Sequence, residues 1–129
     1  MLASQLTHSP STCPPNRGKA NWLLGPYGPP HEFFNGSGFT GGPALTRGVF
    51  VAQAAWQNGS TSRNWINGAF VGVTLGAGNG PGTVALGAGG AYAESLDGDL
   101  AEVIAYDSAL SSTNLANVWI YLAAKYALS

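Results

Sequence analysis

Charge is scarce in this sequence. Only 9% of its 129 residues are Asp, Glu, Lys or Arg, against the ~25% of an ordinary soluble domain. The net charge is -1, and the basic residues Arg17, Lys19, Arg47, Arg63 and Lys125 are dispersed along the chain. That dispersal excludes the basic stripe needed to neutralise a nucleic-acid backbone or to hold an anionic membrane surface. Cysteine is nearly absent: Cys13 stands alone, so neither an intrachain disulfide nor a cysteine-built zinc site can form, although an interchain disulfide stays open. Long hydrophobic runs are missing too. No window approaches the ~18 apolar residues of a membrane span, which argues against membrane insertion. The first residues lack both a basic n-region and a continuous apolar h-region. With so little charge, the surface has to be made of Gly, Ser, Thr, Asn and backbone.

What is present is apolar sequence cut by turns. Hydrophobic residues make up 45% of the chain, and nineteen glycines and eight prolines punctuate them. Because runs containing Trp, Phe, Val and Leu lie between the Gly and Pro clusters, the composition indicates strands joined by turns and not disorder. Residues 1–20, rich in Ser, Thr and Pro, are expected to form an arm or linker, and residues 21–129 a single domain built on one core.

In chain order, Trp22 to Leu24 and His31 to Phe34 flank a Gly/Pro turn and suggest a hairpin, with Pro29 and Pro30 kept out of any central paired strand. Residues 34–46 are expected to be a loop. They contain a formal G-x-G-x-x-G from Gly36 to Gly41, but Pro43 follows and no helix opens there, which removes the dinucleotide reading. Residues 48–56 are the clearest upstream strand, and residues 62–73 are a hairpin centred on Asn67-Gly68, a pair suited to a two-residue type I′ turn. A further short strand is expected at Thr83 to Leu86. Asn35-Gly36-Ser37 and Asn58-Gly59-Ser60 match the glycosylation pattern and serve equally well as turns.

The chain closes with a helix. Leu115, Val118, Trp119, Leu122 and Tyr126 recur at spacings of three and four, an apolar stripe fit to lie on a sheet, while Asn114, Asn117 and Lys125 fall on the water side. Ser111 is the expected N-cap. Many short strands with a single late helix point to an all-β antiparallel sandwich.

The closing segment from Gly98 to Tyr126, GDLAEVIAYDSALSSTNLANVWIYLAAKY, resembles the C-terminal end of LamG-like, concanavalin A-like jelly-roll domains. There a strand of the type G-D-I-A-E-V-I-x-Y leads through A-L-S into a helix ending Y-L-x-x-K-Y. Residues 49–72 are similar to that family's hairpin, with Trp65 where the pattern often has tyrosine. Two departures stand out. Asn114 occupies the position where a glutamate completes the capping box, and the chain is short for the fold, with about seven strands in view. Two explanations remain open: the sequence is the C-terminal part of such a domain, or its sheet edges are covered by another subunit.

The resemblance implies an antiparallel jelly roll with one C-terminal α-helix, an extracellular or particle-surface setting, and a carbohydrate or a protein surface as partner. Homo-oligomers or a larger assembly are also within its range. Asp97-Gly98-Asp99-Leu100-Ala101-Glu102 is similar to the E-x-D-x-x-E strand of the related glucanases, with aspartate in the first place. A retaining glycosidase needs two carboxyls roughly 5–5.5 Å apart, yet strand alternation sends Glu102 to the face opposite Asp99 unless a bulge intervenes. The competing readings are a turn at Asp97-Gly98 with Glu102 structural, and a calcium ion held by Asp97 and Asp99.

For saccharide binding the relevant groups are aromatic faces with polar neighbours. Trp22, Tyr27, His31, Trp56, Trp65 and Tyr92 are available. Trp22 and Trp56 read as strand core, and Trp119 as helix core. The favoured ligand-binding set is Tyr27, His31, Trp65, Arg63 and Asn67. The expected function is therefore a non-catalytic carbohydrate- or surface-binding module; a structural building block of a virion, fibre or surface layer is the alternative, and glycoside hydrolysis ranks third.

Overall fold

A computed structural model describes residues 2–6, 23–26, 30–34, 39–44, 46–58, 61–73, 86, 88–89, 94–95 and 98–128. The fold is mostly antiparallel β-structure with one C-terminal helix. The strands are β1 (Leu2–Leu6), β2 (Leu23–Pro26), β3 (Pro30–Phe34), β4 (Phe39–Ala44), β5 (Val51–Trp56), β6 (Arg63–Ile66), β7 (Ala69–Val73), β8 (Ala88–Gly89), β9 (Glu94–Ser95) and β10 (Gly98–Val103), followed by the helix α1 (Ser112–Tyr126). A five-stranded sheet has the order β10-β1-β5-β6-β7, a three-stranded sheet β2-β3-β4, and β8 pairs with β9. Among the described residues no helix is long and apolar enough to cross a membrane.

The two larger sheets touch, β4 against β7 and β2 against β1 and β5. Gln53 identifies the facing side of the larger sheet, since its Nε2 donates to the Glu32 carbonyl on β3 at 3.0 Å. Ile66 stands opposite Gln53 in the ladder and therefore points the same way. It meets β4 at Gly42, where any Cβ would overlap Ile66 Cδ1 and lie 3.1 Å from the His31 carbonyl. Glycine suits this position, since a larger residue would make the Ile66 methyl shift and the His31 carbonyl give way. Phe33 and Ile66 are buried at this contact, as are the polar side chains of His31, Gln53 and Asn64.

The other face of the five-stranded sheet carries the helix. The β1 register sets Ala3 opposite both Ala52 and Glu102, so these two share the face turned away from Gln53. Glu102 is bonded there by helix side chains. Leu122 is the buried residue of α1, Tyr126 lies 5.9 Å from the Phe50 ring, and Trp119 packs on the turn at Gly68. The apolar stripe is as the spacing indicates: Leu115, Val118, Trp119 and Tyr126 are half-buried, and Asn114 and Asn117 are exposed. Ser111 is the N-cap, its Oγ accepting from the Asn114 amide at 3.2 Å. At the other end Ala127 adopts a left-handed conformation at φ 51°, its amide donating to the Ala123 carbonyl, and the Leu128 amide donates to the same carbonyl at 3.3 Å.

The hairpin at Asn67-Gly68 forms as expected, with φ of 46° and 80°, the pair of positive values a type I′ turn needs. Asn67 also ties this turn to β5. Its amide donates to the Ala52 carbonyl at 2.9 Å, and its Oδ1 accepts from the Ala52 amide at 3.0 Å.

Three expectations differ. Leu2–Leu6, read as part of a Pro/Ser-rich arm, forms β1 between β5 and β10; a strand paired on both sides draws on its ladders more than on intrinsic propensity. Residues 39–44, read as loop, form β4, paired with β3 and with Gly42 set closely against Ile66. Pro30 begins the central strand of its sheet, opposite Ala44 and beside an irregularity in register between Pro30 and Glu32, one of the places where a residue without an N–H is tolerated. Of the strand expected at Thr83 to Leu86, only Leu86, in a bend, lies among the described residues.

Candidate functional site

On the helix-bearing face of the five-stranded sheet, beyond α1, the ladders of β5, β6 and β7 gather aromatic side chains around one cation. Trp56 stands opposite Arg63, and Ala54 opposite Trp65. With no irregularity in that ladder, Trp56, Arg63, Ala54 and Trp65 share one face, Arg63 and Trp65 two residues apart. Across the β6–β7 turn Trp65 is opposite Phe70, and their rings meet edge to face with centroids 5.8 Å apart. The Arg63 guanidinium lies over the Trp56 ring, 5.3 Å from its centroid. Trp56 and Trp65 are half-buried, Arg63 is exposed, and Phe70 is 56% exposed. The result is a rigid platform on a sheet, offering aromatic faces and one guanidinium to a ligand.

Of the ligand-binding set from the sequence, Trp65 and Arg63 come together here. Asn67 lies in the adjoining turn with its amide group engaged by β5. His31 does not join them: it is 2% exposed, at the contact between the sheets. Burial lowers its pKa to about 4, so the ring is neutral at physiological pH. Its Nδ1, like Gln53 Oε1, has no hydrogen-bond partner among the described residues. Tyr27, Trp22 and Tyr92 lie outside the described residues. Trp56, expected in the core as a strand residue, and Phe70 also belong to the platform, Trp56 half-buried and Phe70 exposed. A two-residue turn after Ile66 sets Trp65 opposite Phe70 by simple counting, and that was the available signal.

The acidic segment resolves differently from simple alternation. The β1–β10 register shifts between Ala3 and Ser4: Glu102 stands opposite Ala3, Leu100 opposite Ser4 and Asp99 opposite Gln5. Ala101 is thus an extra residue, and the bulge brings Asp99 and Glu102 to the same face. Glu102 is nevertheless committed to the helix. Tyr121 Oη donates to its Oε1 at 3.1 Å, Tyr126 Oη to its Oε2 at 3.1 Å, and Lys125 Nζ to its Oε2 at 3.2 Å. Partial burial works to raise the carboxyl pKa, but the hydrogen bonds from Lys125, Tyr126 and Tyr121 together with the ammonium charge outweigh it and hold the group below the usual carboxylate range. Lys125 also donates to Tyr121 Oη at 2.7 Å and lies 5.2 and 5.3 Å from the Tyr121 and Tyr126 ring centroids. Its pKa rises above the ordinary lysine value, first through the bond to Tyr121 and then through those involving Glu102 and Tyr126.

Asp99 is exposed, and Asp97 lies outside the described residues. Among the described residues there is no group of three or more His, Cys, Asp or Glu side chains placed to hold a metal. Asp99 by itself is short of the roughly six to eight oxygens that calcium takes. Asn58, of the second glycosylation-like triplet, is used locally, its Nδ2 donating to Thr61 Oγ1 at 2.9 Å. A separate apolar depression is lined by Asn67, Trp119, Ile120, Ala123 and Leu128.

No family model, curated protein or solved structure matches this chain.

Proposed function

We propose that the chain is a non-catalytic binding module, a β-sandwich of concanavalin A-like type, which holds carbohydrate on the Trp56, Arg63, Trp65 and Phe70 face and works outside the cell or on a particle surface. The observation that carries this reading is the placement of the exposed Phe70 ring, the Trp65 indole that meets it edge to face and the Arg63 guanidinium over Trp56 on one sheet face. Sugar rings present C–H faces that pack on aromatic rings, and their hydroxyls need a few fixed donors at the rim. The sandwich reading rests on two antiparallel sheets meeting through Phe33, Gly42, Gln53 and Ile66. A general acid must hold its proton near neutral pH, and Glu102, with its lowered pKa and its partners on α1, is suited to pinning the helix instead. The test is a glycan array followed by titration. Wild type gives a saturable signal that Trp65→Ala and Phe70→Ala each reduce by about two- to tenfold, the scale of a lost aromatic contact, while circular dichroism stays unchanged. Absence of any signal from folded protein overturns the reading.

A second reading, a building block of a fibre, virion or surface layer, is favoured by the strands β7 and β10 at the ends of the five-stranded order, with Phe70, Val73 and Val103 exposed. Exposed apolar edges invite pairing with another chain. Light scattering separates the two: a defined large oligomer without array signal supports the building block, and a monomer with array signal the binding module.

A further inference from the structure

We infer that the platform selects acidic saccharides, those bearing a carboxylate or a sulfate, through Arg63; this rests on the carbohydrate-binding reading above. Arg63 is exposed, and among the described residues its guanidinium lies over the Trp56 ring. Stacking on a ring uses the face of the guanidinium and none of its N–H donors, so those remain for a ligand. The residues around it on the same face are apolar: Trp56 opposite on β5, Val73 opposite on β7, and Trp65 two positions along β6. None supplies an acceptor oxygen from its side chain. Lys125, by contrast, is committed to Glu102 at 3.2 Å.

A guanidinium held over an indole is positioned in advance, and its fork matches the two oxygens of a carboxylate or sulfate bidentately. A neutral sugar would use the same aromatic faces and leave the charge unanswered. The aromatic rings supply affinity for saccharide in general, and Arg63 supplies the preference for charge.

The experiment pairs each acidic oligosaccharide with its neutral counterpart: uronic acid with the corresponding hexose, and sulfated with desulfated chains. Titration calorimetry is run on wild type, Arg63→Gln, Arg63→Lys and Trp65→Ala. Wild type is expected to bind the acidic member at least about tenfold more tightly, the scale of one charge-assisted bidentate contact, and to lose much of that margin in concentrated salt. Arg63→Gln brings the two members to within about twofold of each other, Arg63→Lys retains part of the margin, and Trp65→Ala weakens both members together. Equal binding of acidic and neutral members by wild type overturns the inference and leaves the carbohydrate reading standing. A preference that survives Arg63→Gln also overturns it, placing selection elsewhere. Failure of wild type to bind any member overturns both.

Discussion

Acidification should weaken the protein first through His31. The ring is 2% exposed at the contact between the sheets, where Pro26 is its partner on β2, and β4 and the five-stranded sheet supply Gly42, Ile66 and Gln53. None of these four is charged, so burial alone sets its pKa, lowered from 6.5 to about 4. Below 6.5 the unfolded chain takes up a proton that the folded chain refuses, so stability falls as pH falls and the loss is complete near pH 4. At ~1.4 kcal/mol per pH unit the whole window amounts to at most about 3.5 kcal/mol, less whatever solvent screening reaches the ring, and about 2 kcal/mol is already lost by about pH 5. Against a total stability of ~5–15 kcal/mol this is a large fraction. Glu32 acts in the opposite sense: burial raises its pKa above 4.5, so protonating it on the way down offsets part of the His31 loss. Glu102, with a lowered pKa, adds its loss only below the ordinary carboxylate value of 4.5. The assay is urea denaturation at neutral pH and at about pH 5, on wild type and His31→Leu. Wild type should show a clearly lower midpoint at the acidic pH, and His31→Leu, which has no proton to refuse, should be nearly flat. Identical wild-type midpoints, or an unchanged pH slope in His31→Leu, would refute the reasoning.

Two further substitutions test the packing. Gly42→Ala would drive a Cβ into Ile66 Cδ1 beside the His31 carbonyl, and overpacking of this kind should cost ~1–3 kcal/mol in chemical denaturation. Ala127→Gly should raise the melting temperature, since a left-handed residue at φ 51° carries a Cβ penalty that glycine lacks; the gain is about 0.5–1 kcal/mol.

The helix and the hairpin were legible because local chemistry determines them: a stripe at three-four spacing, a serine cap, and an Asn-Gly pair that accepts positive φ. Strands β1 and β4 were not. Leu2–Leu6 has little strand character until neighbours pair with it on both sides, and the glycines of β4 look like loop until Ile66 is known to press on one of them. The same limit shaped the site. Arg63 and Trp65, two residues apart on one strand, could be read as sharing a face, and Phe70 follows by counting across the turn. Trp56 meets Arg63 only through the six-residue connection between β5 and β6, whose length sets no register. His31 alternates with Phe33, which was a signal for burial, and the shared face of Asp99 and Glu102 depends on a bulge that only pairing with β1 reveals.

The most direct test of the binding platform is a saccharide titration followed through the tryptophan indole N–H signals in a two-dimensional 15N NMR spectrum. The indole signals of Trp56 and Trp65 should move together along one saturable curve, and that of Trp119, packed under the helix at Gly68, should stay in place. Movement of Trp119 without Trp56 and Trp65, or no movement at saccharide concentrations well into the millimolar range, would contradict the account.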